Sequence, residues 1–139
     1  MPNTTRSLQN LQVYQLALRC SVEVYDLAQQ FPEGEDRYLV RRMLATSRAV
    51  RAQIAIAWGQ RRKGEVLLRQ LIAAQSAAAE MQTWIEAAIC LGYISPASGQ
   101  DLYDRYRYLD TVLDQLMETA AVGATQLENS VEVTLPATA

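Results

Sequence analysis

The chain has 139 residues and a mass of 15.5 kDa, the size of one domain. Half of it is apolar, a fifth is charged, and there is no histidine. The commonest general base and the commonest metal ligand are therefore both missing. Cys20 and Cys90 stand too far apart in the chain for a CxxC pair, and two thiols cannot make a four-thiolate zinc site.

The net charge of −2 is the sum of two unlike parts. Between Arg37 and Arg69 nine bases face one acid, Glu65, which gives +8; the remainder has four bases and fourteen acids, which gives −10. Twelve of the thirteen bases are arginine, a side chain suited to planar, bidentate contacts with carboxylate or phosphate. Met1 to Leu11 is polar and does not read as a signal peptide. No apolar run approaches the roughly 18 residues of a membrane-spanning helix. The expectation is a cytoplasmic protein with reduced thiols and no membrane contact.

Residues 1–6 are expected to be a flexible N-terminus. A first helix is expected from about Ser7, as N-cap, to Gln30. Two adjacent seams run along it: Leu11, Tyr14, Leu18, Ser21, Tyr25 and Ala28, and Val13, Ala17, Cys20, Val24, Leu27 and Phe31. One seam suffices for a small monomeric bundle. The second signals either a wide core face or contact with another subunit. Phe31-Pro32-Glu33-Gly34 ends the helix, because proline disfavours helical geometry at Phe31 and glycine permits a tight turn.

The second helix is expected from about Glu35 to Trp58. Leu39, Val40, Met43, Ser47, Val50, Ile54, Ala57 and Trp58 form its apolar stripe. Arg37, Arg41, Arg48 and Arg51 fall on a different stripe, and Leu44 and Ile56 project away from the core. Gly59 and Gly64 bracket a basic loop, Arg61-Arg62-Lys63.

The third helix is expected from about Glu65 to Leu91. Leu67, Leu71, Ala74, Ala78, Met81, Ile85 and Ala88 alternate by four and three, the repeat of helices packed at a shallow angle. Gly92 reads as its C-terminal stop. Ser95-Pro96 opens the fourth helix, with serine as N-cap and proline at the first helical position. Leu102, Tyr106, Leu109, Leu113, Leu116 and Ala120 repeat the four-three step, while Asp101, Asp104, Asp110, Asp114 and Glu118 make its outer surface acidic. Asp101 and Arg105 have the spacing of a helical ion pair. Residues 122–139 lack a helical pattern, although Ser130 to Leu135 alternates weakly like a strand, and are expected to form a mobile tail. The fold class expected is all-α, an up-down-up-down antiparallel four-helix bundle over residues 7–121.

The order of landmarks along residues 8 to 120 resembles a known family. Leu11-Gln12-Val13-Tyr14-Gln15 with Ala17 looks like an opening "L-x-V-W-Q-x-A", and Val24-Tyr25 like its "I-Y". Phe31-Pro32 with Glu35 and Tyr38-Leu39 resembles "F-P-x-x-E-x-Y-G-L". Leu91-Gly92-Tyr93-Ile94-Ser95 resembles "L-G-Y-L-S". The family is that of four-helix bundle proteins related to the 23S ribosomal RNA intervening-sequence protein, to which retroelement accessory proteins are similar. The resemblance implies a non-enzymatic bundle that closes into rings, typically pentamers. It also implies a precedent for nucleic-acid binding through a basic surface. The chain departs from the family's "S-I-x-x-N-I-A-E-G-x-G-R" at Gln53 and Ile56, where the pattern has Asn and Glu.

The function expected from these features is a homo-oligomeric adaptor or scaffold that binds a protein partner. Its oligomer interface is expected at Val13, Ala17, Val24, Leu44 and Ile56. A basic second helix would meet the acidic fourth helix of a neighbour, a match that sets register and orientation. Arg37, Arg41, Arg48, Arg51, Arg61, Arg62 and Lys63 are the expected partner-binding residues. The alternative gives the same residues to nucleic acid, since phosphate contacts need only clustered positive charge. A solvated charged face is the bland reading of this stripe. Catalysis, a metal and a cofactor are not expected. Asp101/Asp104 and Asp110/Asp114 lie on an outer face, a helical di-iron site needs histidine, and Glu80 and Glu86 are expected in solvent. Cys20 and Cys90 are expected as small buried hydrophobes. The aromatics Trp58, Trp84, Tyr14, Tyr25 and Tyr106 are expected in the core rather than around a pigment.

Overall fold

The computed structural model describes residues 11–34 and 37–122. The Ser7 cap, the N-terminal segment 1–6, Glu35 and the tail beyond Val122 lie outside the described residues. The chain forms four helices: α1 (Gln12–Ala28), α2 (Arg37–Gly59), α3 (Gly64–Cys90) and α4 (Pro96–Val122). Among the described residues, none of these helices is long and apolar enough to cross a membrane.

The helices pack in chain order, α1 on α2, α2 on α3, α3 on α4, and α4 closes back on α1. Cross-helix pairs show the sense of each packing. Tyr38 meets Trp84 while Arg42 meets Glu80, so a turn forward on α2 is a turn back on α3. Gln75 meets Asp114 near the middle of α3, and Ile89 meets Gly99 near its end, so α4 also runs back along α3. Glu23 meets Arg105, and Leu11 shares an apolar patch with Leu116, which makes α1 and α4 antiparallel. This is the all-α four-helix bundle expected, with antiparallel neighbours.

Local chemistry places the helix ends. Gly34 and Gly92 have φ of +81° and +78°, a backbone that a side chain strains. At the end of α3 the Tyr93 N–H donates to Ala88 O at 2.9 Å and the Gly92 N–H to Ile89 O at 3.0 Å, the paired bonds of a glycine-terminated helix. Ser95 caps α4 as its position suggests: the Ser98 N–H donates to Ser95 Oγ at 3.1 Å. The start of α1 differs from expectation. The helix begins at Gln12, after Leu11, which makes no side-chain capping bond.

The core follows the stripes. All seven α3 positions of the four-three repeat are buried. So are Leu102, Tyr106, Leu109 and Leu113 of α4, with Leu116 half-buried. On α2 the expected stripe is buried, and Thr46 joins it. Thr46 tolerates burial because its hydroxyl donates to Glu80 Oε2 at 3.3 Å. At Gly99 the backbone of α4 packs tightly against Ile89 of α3. A Cβ there would stand 2.4 Å from Ile89 Cγ1, so only glycine fits without movement.

Candidate functional site

Several side chains expected at the surface are engaged within the chain. Glu80, expected in solvent, is instead the centre of a cluster joining α2 and α3. Its Oε2 accepts from the Arg42 guanidinium, from Trp84 Nε1 at 2.9 Å and from the Thr46 hydroxyl. The Arg42 hydrogen bond holds the Glu80 carboxyl below the usual glutamate range and, reciprocally, pushes the Arg42 guanidinium up. The Tyr38 ring stands edge-on to Trp84, with centroids 6.2 Å apart. Arg61 is also engaged: its guanidinium lies 4.0 Å from the Trp58 ring centroid and donates to Trp58 O at 2.8 Å. It therefore caps the end of α2 rather than reaching outward. On the opposite side, Arg105 joins Glu23 of α1 and Asp101 of its own helix, as the spacing suggested for Asp101.

Four arginines of α2 are different. Arg37, Arg41 and Arg48 are exposed and Arg51 is half-buried, and none of the four makes an ion pair among the described residues. Arg62 and Lys63 are exposed in the α2–α3 turn. Arg48 and Arg51 also line a groove of about 240 Å³ between α1 and α2. Its other walls are Ser21, Val22, Tyr25, Leu44 and Ser47. Val22 and Tyr25 are 52% and 57% exposed, large values for an aliphatic and an aromatic side chain on adjacent turns. The Ser21 and Ser47 hydroxyls are satisfied by the carbonyls of Leu18 and Leu44 on their own helices, so the groove floor offers little unmet polarity.

The expected oligomer interface is corrected in part. Val13, Ala17 and Val24 are at most 1% exposed and fill the chain's own core, so they offer no surface to a second copy. The two seams of α1 divide differently: the Val13–Phe31 seam is core, and part of the Leu11–Ala28 seam opens onto the groove. Leu44 is half-buried in the groove wall. Ile56 is 44% exposed and does not line the groove, so these two residues are not brought together.

The aromatics are also scattered. Tyr106 is in the core, Tyr14 is half-buried, Trp58 lies under Arg61, Trp84 faces Tyr38, and Tyr25 is outside. Cys20 is buried, and burial pushes its thiol up to about 11, whereas Cys90 is exposed and departs from expectation. The acids of α4 divide into two sets. Asp101 and Asp104 pair with Arg105 and Arg107, while Asp110, Asp114 and Glu118 have no ion pair among the described residues.

Helices closed around an apolar interior, with a basic stripe beside an apolar groove, define a four-helix bundle whose distinctive chemistry lies on its surface. The model of the 23S rRNA-intervening sequence protein family matches residues 9–115, and the chain belongs to that family. No curated protein matches it.

Proposed function

We propose that this protein is a non-enzymatic adaptor or scaffold of the cytoplasm, built from several copies of the chain, which binds a protein partner. The observation that carries the reading is the α1–α2 face, where exposed Val22 and Tyr25 and half-buried Leu44 lie beside Arg48 and Arg51. An apolar strip bordered by arginines that make no ion pair among the described residues is the composition of a protein-binding surface. In the core, Ser21, Thr46 and Ser47 are spent on backbone carbonyls or on Glu80, and only the buried Tyr106 hydroxyl lacks a hydrogen-bond partner among the described core residues.

Assembly supplies the second half of the proposal. The C-terminal half of α4, with Asp110, Asp114 and Glu118, is the acidic counterpart of the arginine stripe. A basic face on one copy and an acidic face on the next form a head-to-tail contact, which closes into a ring when the rotation allows. Five copies is the number that family resemblance suggests. Light scattering after size exclusion tests the assembly: a mass several times 15.5 kDa supports it. Reversal of Arg48 and Arg51 to glutamate would lower that mass.

A second reading has its own observation. Four arginines on one helix face, free of ion pairs among the described residues, are also what a phosphate backbone requires. Arg62 and Lys63 would extend that surface; Arg61, laid on Trp58, would not. Filter binding across a salt series separates the two. Affinity that falls steeply with salt supports nucleic acid, and absence of binding at low salt removes it.

A further inference from the structure

We propose that the groove between α1 and α2 receives an acidic amphipathic helix of the partner protein, with large apolar side chains against Val22, Tyr25 and Leu44 and carboxylates on Arg48 and Arg51. This rests on the adaptor reading and states what kind of protein that face takes. The two walls of the groove differ in chemistry. Val22 and Tyr25 are more than half exposed on α1, and across from them half-buried Leu44 stands with Arg48 and Arg51 on α2. Exposed apolar side chains gain by being covered, and guanidiniums gain from carboxylates. The floor adds a further selection. The Ser21 hydroxyl donates to Leu18 O at 2.9 Å and the Ser47 hydroxyl to Leu44 O at 3.0 Å, so a neutral polar ligand meets protons already used.

Size and spacing point to a helix. A volume of about 240 Å³ equals about eight waters at about 30 Å³ each, so the groove takes inserted side chains while the backbone that carries them stays outside. Arg48 and Arg51 are three residues apart, about 4.5 Å along the axis of α2, and Val22 and Tyr25 have the same spacing on α1. A helix presents side chains three and four residues apart with Cβ atoms about 5–6 Å apart, which suits both pairs. An extended strand spaces residues of one face by about 6.7 Å. A partner helix lying along the groove therefore sets apolar residues at helical spacing on the α1 wall and acids at the same spacing on the arginines. A neighbouring copy's α4 satisfies only half of this. Tyr108, the exposed large side chain of α4 among the described residues, lies about 120° around that helix from Asp114. An α4 that brings Asp110, Asp114 and Glu118 to Arg48 and Arg51 thus leaves Val22 and Tyr25 uncovered, and it competes with the partner helix for the two arginines.

Selection from a displayed library of random sixteen-residue peptides, with the full chain as bait, tests the occupant. The proposal expects enriched peptides with leucine, isoleucine, phenylalanine or tryptophan three and four residues apart and aspartate or glutamate at the same spacing. A synthetic copy of the commonest peptide, titrated by fluorescence anisotropy, should bind about tenfold or more weakly to R48E/R51E and to V22S/Y25S. It should bind unchanged to K63E/R69E, which reverses two exposed bases outside the groove, with helical circular dichroism equal in all four proteins. An empty selection, or an affinity that R48E/R51E leaves unchanged, overturns the proposal. Equal loss in K63E/R69E reports net charge alone and also overturns it. Peptides that bind without acids leave the adaptor reading standing and overturn the acidic helix. Tighter retention of a sixteen-nucleotide oligothymidylate than of any peptide, lost in R48E/R51E, assigns the arginines to phosphate and overturns it as well. Light scattering on the bait reads the assembly separately. A monomer that binds the peptide removes the assembly and keeps the helix in the groove, whereas an assembly that retains no peptide gives the groove to a second copy and removes the helix alone.

Discussion

Substitution of Gly99 by alanine tests the tight packing of α4 on Ile89 of α3. Alanine is normally favoured over glycine inside a helix by about 1 kcal/mol. Here its Cβ would stand 2.4 and 2.5 Å from Ile89 Cγ1 and Cδ1 and 3.1 Å from Ile94 Cδ1. Ordinary carbon contacts begin at about 3.5 Å, so Ile89 must shift by roughly 1 Å. Ile89 is half-buried and packed on the core, so the shift is only partly free. Overpacking of this kind costs about 1–3 kcal/mol. The net expectation is a destabilisation of about 1 kcal/mol, or about 4 °C for a chain of this size. A double-mutant cycle isolates the cause. Ile89→Ala removes the two clashing carbons, so Gly99→Ala in that background should become neutral or stabilising, with a coupling of about 1–3 kcal/mol. Urea unfolding followed by helical circular dichroism measures all four proteins. Stabilisation of the single variant, or a coupling near zero, would refute the close approach.

Three further outcomes follow from the side-chain network. Glu80→Gln removes the carboxylate that three donors share, and stability at neutral pH should fall. Because the folded-state carboxyl lies below its ordinary value of 4.5, this contribution is present above that pH and is lost as pH falls through the lower folded value. The wild-type advantage over the variant should therefore shrink in acid; a gap that stays constant down to pH 2 would contradict the pairing. A thiol reagent at pH 8 should label Cys90 alone in the native protein and both cysteines in denaturant, since Cys20 is buried and its thiol is pushed up to about 11. Rapid labelling of two thiols in the native state would show that the α1 core seam opens. Arg61→Ala should redden Trp58 emission and cost about 1 kcal/mol through the lost α2 cap, read by fluorescence during unfolding.

How legible these features were in the sequence depended on the distance over which they act. The α3 stripe from Leu67 to Ala88 reappears residue for residue as the buried face, because helical periodicity is a local property that packing did not override. Ser95, Pro96 and Gly92 also act within one turn and stand where their chemistry suggested. The Glu80 cluster could not be read in the same way. Arg42 and Glu80 are 38 residues apart, and each alone resembles a solvated charge; only the antiparallel packing of α2 on α3 brings them together. The same limit explains α1. Both of its seams are apolar enough to be core, and the choice between them depends on where α2 lies. Placing the interface at Val13, Ala17 and Val24 selected the seam that the bundle buries. The arginines form stripes in the sequence, but their division into Arg42 on Glu80, Arg61 on Trp58 and the four without ion pairs among the described residues requires neighbours from the fold.

The proposed function depends on the α1–α2 face meeting another protein chain. Its most direct test is the mass of the full chain in solution at tens of micromolar, compared with that of R48E/R51E under the same salt. The expected result is an assembly of several 15.5 kDa copies that dissociates when the two arginines are reversed. A wild type of 15.5 kDa would contradict the assembly proposal. An assembly indifferent to R48E/R51E would place its contact on another face.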